Sequence, residues 1–222
     1  MKNLKKIVAI LLAAAMLAGV FMFTSSASET DVGEDVETAE PVVARMYFGH
    51  LTRNHNMEGH TWIYIENLTD GPITVGAYTL PKGEGVSVGT YGESVKNGPG
   101  LYYNVEAWRY KNDNVYLPIS ISLNKDLTQS DLDAVNKTIL KSNHWSKLFN
   151  CAYTAIKIWN TTPGDHMIYL FFPILTQMQV LASKNDGGGF SMTKYAKWEG
   201  KCFFQVRNSD GTITLESADP TY

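Results

Sequence analysis

The chain has 222 residues, with 19 Lys and Arg against 22 Asp and Glu and a formal charge of −3. With no basic run in so acidic a chain, the clustered Lys and Arg that phosphate binding requires are missing, which argues against nucleic acid as a partner. Aromatic residues make up 12% of the chain and fall almost wholly after the first 41 positions, so a packed globule is expected there.

Residues 1–6 carry three lysines and no acid, and residues 7–23 hold no charge at all. Small residues at Ser25 and Ala27 suit a signal peptidase, so the expected signal peptide is residues 1–27, cleaved after Ala27. A run of 17 apolar or small residues spans about 25 Å as a helix, short of a typical hydrocarbon core, so no stable membrane insertion is expected after cleavage. The mature chain keeps 16 basic and 22 acidic residues, a net −6. That total gives no support to a peripheral role on an anionic membrane. Residues 28–41 are acid-rich, without a base or an aromatic, and form a solvated leader. About 180 residues follow, enough for a single domain, residues 42–222. The expected location is secreted or associated with the cell envelope.

Residues 45–49 open an apolar stretch with strand character. Residues 60–67 are rich in aromatic and β-branched side chains. The turn residues at 68–72 then suggest a hairpin returning over 73–80. Further strands are expected at 85–90, 101–108 and 119–123. Thr128 and Asp131 nearly make a capping box, and Leu132, Val135, Ile139 and Leu140 follow at helical spacing. Residues 150–160 form a second amphipathic helix, and Pro173 opens a possible third through about residue 182, before a glycine loop at 187–189. Residues 201–207 and 212–215 close the chain as a hairpin about Asp210 and Gly211. Strands and helices in separate runs give an α+β fold, an antiparallel sheet packed against two or three helices.

Cys151 falls in the first turn of the second helix, where free N–H groups and the helix dipole favour a thiolate. Such a thiolate is a nucleophile. In an exported chain the pair Cys151 and Cys202 is open to a disulfide as an alternative, which would make the protein structural, although a domain of this size does not need one. His50, His55 and His60 are spaced by five, which fits neither a helix face nor a strand face, so neither a zinc site nor any cofactor is expected. His60 opens a well-formed strand after Gly59, a rigid place from which to face a helix terminus.

Gly59-His60-Thr61-Trp62 opening a strand, with Asn150-Cys151-Ala152 opening a helix about ninety residues later, resembles the circularly permuted branch of the NlpC/P60 superfamily, exported bacterial proteins of papain-like fold. The resemblance extends over residues 45–173. It implies a papain-like fold, a Cys151 nucleophile and a His60 general base. The substrate it implies is an amide, chiefly the peptide of cell-wall peptidoglycan. A lipid or other ester acyl substrate is the alternative within the class, and an inactive binding domain on the same scaffold is the alternative outside it. The family also implies a third polar group that orients the imidazole, usually on the strand beside the histidine. Glu66 lies six residues along the same strand, about 20 Å away, and cannot reach. If the hairpin turns about Asp70, Tyr78 and Thr79 are the nearest polar side chains, and Glu106, on a later strand, is a possible substitute.

Overall fold

The computed structural model describes residues 40–52, 59–92, 95–112, 121–169, 176, 179–180 and 200–221. The expected signal peptide, nearly all of the leader, most of the helix expected at 173–182 and the glycine loop lie outside the described residues.

The fold is α+β. Seven strands form one antiparallel sheet: β1 (Ala44–Thr52), β2 (Gly59–Asn67), β5 (Gly85–Tyr91), β6 (Gly100–Tyr103), β7 (Ile121–Leu127), β8 (Cys202–Arg207) and β9 (Ile213–Ala218), in the order β7-β1-β2-β5-β6-β8-β9. The short strands β3 (Ile73–Val75) and β4 (Tyr78–Leu80) pair only with each other. Three helices are described: α1 (Val105–Asn112), α2 (Gln129–Leu140) and α3 (Cys151–Trp159).

Successive side chains of a strand point to opposite faces, and the sheet is covered on both. Met46, Phe48, Ile63, Ile65, Val86 and Val88 face one way and meet Leu132, Val135 and Ile139 of α2 and Ile156 and Trp159 of α3. Trp62, Tyr64, Tyr91 and Tyr102 face the other way and meet Val105 and Ala107 of α1. Both cores are built from residues after Glu40. Helix α2 begins on the expected capping box, with the Thr128 side chain accepting from Asp131 N–H and the Asp131 carboxylate accepting from Thr128 N–H.

Two expectations are corrected. The hairpin expected between residues 60–67 and 73–80 does not form. Gly76, at φ +58, turns the chain back at once, so β3 folds onto β4, while β2 takes β1 and β5 as neighbours. Asn136 of α2 holds that small hairpin in place, accepting from Gly76 N–H and donating to the Thr74 carbonyl. The strand expected over 101–108 stops at Tyr103. Asn104 adopts φ +65, a left-handed conformation that asparagine tolerates, and α1 starts on the next residue.

Candidate active site

Cys151 sits at the first position of α3. The helix starts here because Asn150, in extended conformation, caps it: its Oδ1 accepts from Ala152 N–H at 3.1 Å and Tyr153 N–H at 3.3 Å. The cap leaves the Cys151 N–H, at the positive end of the helix dipole, to other partners. The side chain is buried, and α3 packs across β2 and β5.

His60 is the second residue of β2, at the end of the sheet, and its side chain is 13% exposed. Leu51 of β1 lies opposite it. The imidazole stacks on Trp62 (centroids 5.6 Å, 14° between planes) and tilts against Tyr91 at 4.6 Å. Nε2 lies 2.7 Å from Glu106 Oε1, and the imidazole is also coupled to the Cys151 side chain.

Glu106 lies in the first turn of α1 and is fully buried. Its carboxylate accepts from Ser87 Oγ at 2.6 Å and Tyr91 OH at 2.8 Å in addition to His60. Gly89, between those two donors on the same face of β5, has no Cβ for a reason. One built there would collide with Glu106 Oε1 and stand 3.3 Å from His60 Nε2. Arg109, one turn beyond Glu106, holds its guanidinium 5.0 Å above the Tyr91 ring.

These contacts set the protonation of the site. Burial pulls the His60 imidazole down. The charge and hydrogen bond of Cys151, then the hydrogen bond and charge of Glu106, overcome it and push His60 up to about 9. Burial works to raise the Cys151 thiol, but the His60 charge and hydrogen bond, with the N–H groups of Thr61 and Ala152, bring it below its ordinary value. For Glu106, burial is likewise outweighed by the hydrogen bond and charge of His60 and by the Ser87 and Tyr91 donors, so it stays below the usual carboxylate range. These shifts all favour the charged row, thiolate, imidazolium and carboxylate, over its neutral alternatives.

Cys151, His60 and Glu106 are thus brought together, but Glu106 comes from a helix and not from the strand expected. Tyr78 is not at the site: it pairs with Val75 and packs against Tyr103 and Phe203. Glu66 accepts instead from Tyr47 at 3.3 Å. The alternative of a Cys151–Cys202 disulfide is overturned, since both are free thiols. Cys202 donates to the Asn104 carbonyl at 3.4 Å, and burial, with the Glu106 charge, pushes its thiol up. His50 is buried with Nδ1 3.0 Å from Thr61 Oγ1, and burial, with the His60 charge, brings it down to about 4, so it stands neutral beside the pair. His55 lies outside the described residues. Sequence reasoning missed Ser87, Gly89 and Tyr91. The signal was their alternation along β5, which puts all three on one face.

Comparison with family models, with curated proteins and with solved structures finds no match for this chain.

Proposed function

We propose that the protein is an exported thiol hydrolase of papain-like, permuted NlpC/P60 type that cleaves amide bonds, with cell-wall peptide as its substrate class. One observation carries the reading: a cysteine at a capped helix start is coupled to a histidine whose Nε2 is 2.7 Å from a buried carboxylate. That row supplies a nucleophile, an acid–base group and an orienter, in the order that acyl transfer needs.

The Cys151 thiolate attacks the carbonyl carbon, forming a C–S bond as the carbonyl π pair moves to oxygen. The N–H at the start of α3 stabilises that oxyanion. The oxyanion collapses, the C–N bond breaks, and the imidazolium of His60 gives its proton to the departing amine. Neutral His60 then takes a proton from water, the hydroxide oxygen adds to the acyl carbon, and collapse releases the acid and the thiolate. Glu106 holds Nε2 throughout, so the lobe of Nδ1 stays on the reacting atoms.

The test is alkylation of the thiols by iodoacetamide from pH 4 to 9 in the wild type and His60→Ala, followed by assay on wall peptides. Cys151 is expected to label fast well below the ~8.5 of a free thiol and to slow at least tenfold in the variant. Slow labelling of the wild type, indistinguishable from a model thiol, would remove the enzyme reading.

A further inference from the structure

Of the large hydrophobic side chains exposed among the described residues, four lie along α3: two just before Cys151, and two on the segment that runs back from the C-terminal end of the helix, where Met167 is tied to Asn160. Leu148 is 59% exposed and Phe149 44%, immediately before the cap of α3; Ile168 is 71% and Tyr169 43%. The Phe149 ring meets Tyr153 at 4.9 Å and Tyr153 meets Tyr169 at 5.2 Å, which joins the two pairs, Leu148 and Ile168 being the chain neighbours of Phe149 and Tyr169. A cluster of exposed apolar side chains marks an interaction site.

The charge around the patch is as uneven as its polarity. Residues 134–164 contain four lysines and not one acid. With a mature total of −6 and +4 in this segment, the rest of the chain carries −10. Lys147 adjoins Leu148 in the chain, and Lys157 follows Tyr153 at four-residue spacing, on one stripe of α3. The first acid after the segment, Asp165, acts on Lys125, which lies over Trp159 at the far end of the helix.

We propose that this patch is a docking surface for an anionic lipid bilayer, with Leu148, Phe149, Ile168 and Tyr169 entering the interface and Lys147 and Lys157 meeting its headgroups. Exposed apolar side chains flanked by lysines are what an interfacial contact requires, and the lysine stems reach headgroup oxygens while their methylenes stay in the apolar layer. A second copy is a poorer occupant. A two-fold pairing sets each patch against itself and brings lysine toward lysine. The net charge conceals all this, because the acids that set it lie elsewhere. The proposal does not rest on Cys151 being a nucleophile, although Phe149 stands two residues from it.

The test is co-sedimentation of residues 28–222 with phosphatidylglycerol vesicles and with phosphatidylcholine vesicles. Binding to the first is expected to exceed binding to the second at least tenfold and to weaken between 0.1 and 0.5 M NaCl. Lys147→Glu should lower it about fivefold or more, and the triple variant Leu148→Ser, Phe149→Ser, Ile168→Ser should abolish it with an unchanged circular dichroism spectrum. Leu68→Ser, an exposed residue at the β2–β3 turn, should change nothing. The proposal is overturned if phosphatidylglycerol vesicles sediment no protein, or if the triple variant binds them as well as the wild type does. A concentration-dependent dimer that Phe149→Ser disperses, with no vesicle binding, would equally overturn it and assign the patch to a second copy.

Discussion

Replacing Glu106 by Gln removes one charge and almost nothing else. The amide oxygen keeps the place of Oε1, accepting from His60 and Tyr91, and the new N–H₂ donates to Ser87 Oγ, which accepts once its own hydrogen turns away. The second amide N–H and the Ser87 hydroxyl hydrogen lose a buried partner, at a cost of about 1–3 kcal/mol, which the fold should survive. The electrostatics change more. Nε2 and Oε1 are 2.7 Å apart, which puts the charge centres about 4 Å apart, worth ~4 kcal/mol at an effective dielectric of ~20. That is three pKa units at ~1.4 kcal/mol each, the top of the ordinary range of one to three for a close opposite charge. Burial, which already works against the imidazolium, will then be opposed by Cys151 alone. The His60 titration should therefore fall from about 9 by at least one unit. The proton returns to sulfur, and the thiolate population at pH 7 drops with it. Nitrogen-15 NMR of histidine-labelled protein reads the imidazole directly, and the iodoacetamide rate of Cys151 reads the consequence. A folded Glu106→Gln protein whose His60 still titrates near 9 would refute the argument, since Cys151 would then hold the proton unaided.

Gly89→Ala should push apart Glu106 and His60, which its Cβ would crowd. Alkylation of Cys151 at pH 6 should fall at least tenfold, with a stability loss of about 1–3 kcal/mol in urea unfolding. Asn150→Ala removes the cap of α3 and should cost about 1 kcal/mol in the same measurement. Cys202, buried and with its thiol pushed up, should stay unlabelled at pH 7 in native protein and react only after denaturation. Peptide mass mapping of the two states separates it from Cys151.

What could be read ahead was whatever a local pattern encodes. The cap and apolar stripe of 150–160 gave α3 and hence the setting of Cys151, and the β-branched and aromatic run of 60–67 gave β2 and hence His60. Which strand pairs with which is a tertiary matter. The Asp70–Gly71 turn looks like a hairpin, but Gly76 supplies a tighter one a few residues later, and with it the Tyr78 expectation failed. Residues 101–108 read as one strand because Leu101, Tyr102, Tyr103, Val105 and Ala107 are all buried, so neither period shows. Asn104 was the only local sign of the break, and the helix after it carries Glu106. β5 is buried on both faces for its whole length, so its alternation of Ser87, Gly89 and Tyr91 does not stand out as one-sided polarity would. Asn67, Asn136 and Asn160, each heading an Asn-X-Thr triplet, turn out to spend their side-chain amides inside the fold: on the carbonyls of Gly71, Leu80 and Pro81, on Thr74 and Gly76, and on both backbone groups of Met167.

The three groups of the site belong to different layers. Cys151 arrives on the helix layer of one face, Glu106 on the helix of the other, and His60 joins them at the end of β2. The sheet must therefore be thin and firm where they meet, and glycines make it so. Gly49, opposite Trp62 in the β1–β2 ladder, leaves the room its indole fills, and Gly89 lies against the Trp62 Cβ from the β5 side. Held in that slot, Trp62 props the imidazole from below while Tyr91 closes on it from β5. Gly92, next after Tyr91, lies under the indole of Trp145, 2.8 Å from where a Cβ would stand, so the loop that leads into the cap of α3 is seated on the same strand that cradles Glu106. Cys151 and Glu106 are thereby referenced to one strand, β5, although neither belongs to it. Side chains added at Gly89 or Gly92 should thus disturb the Cys151–His60–Glu106 row more than equal changes within α1 or α3, because they shift the common reference and not a single member.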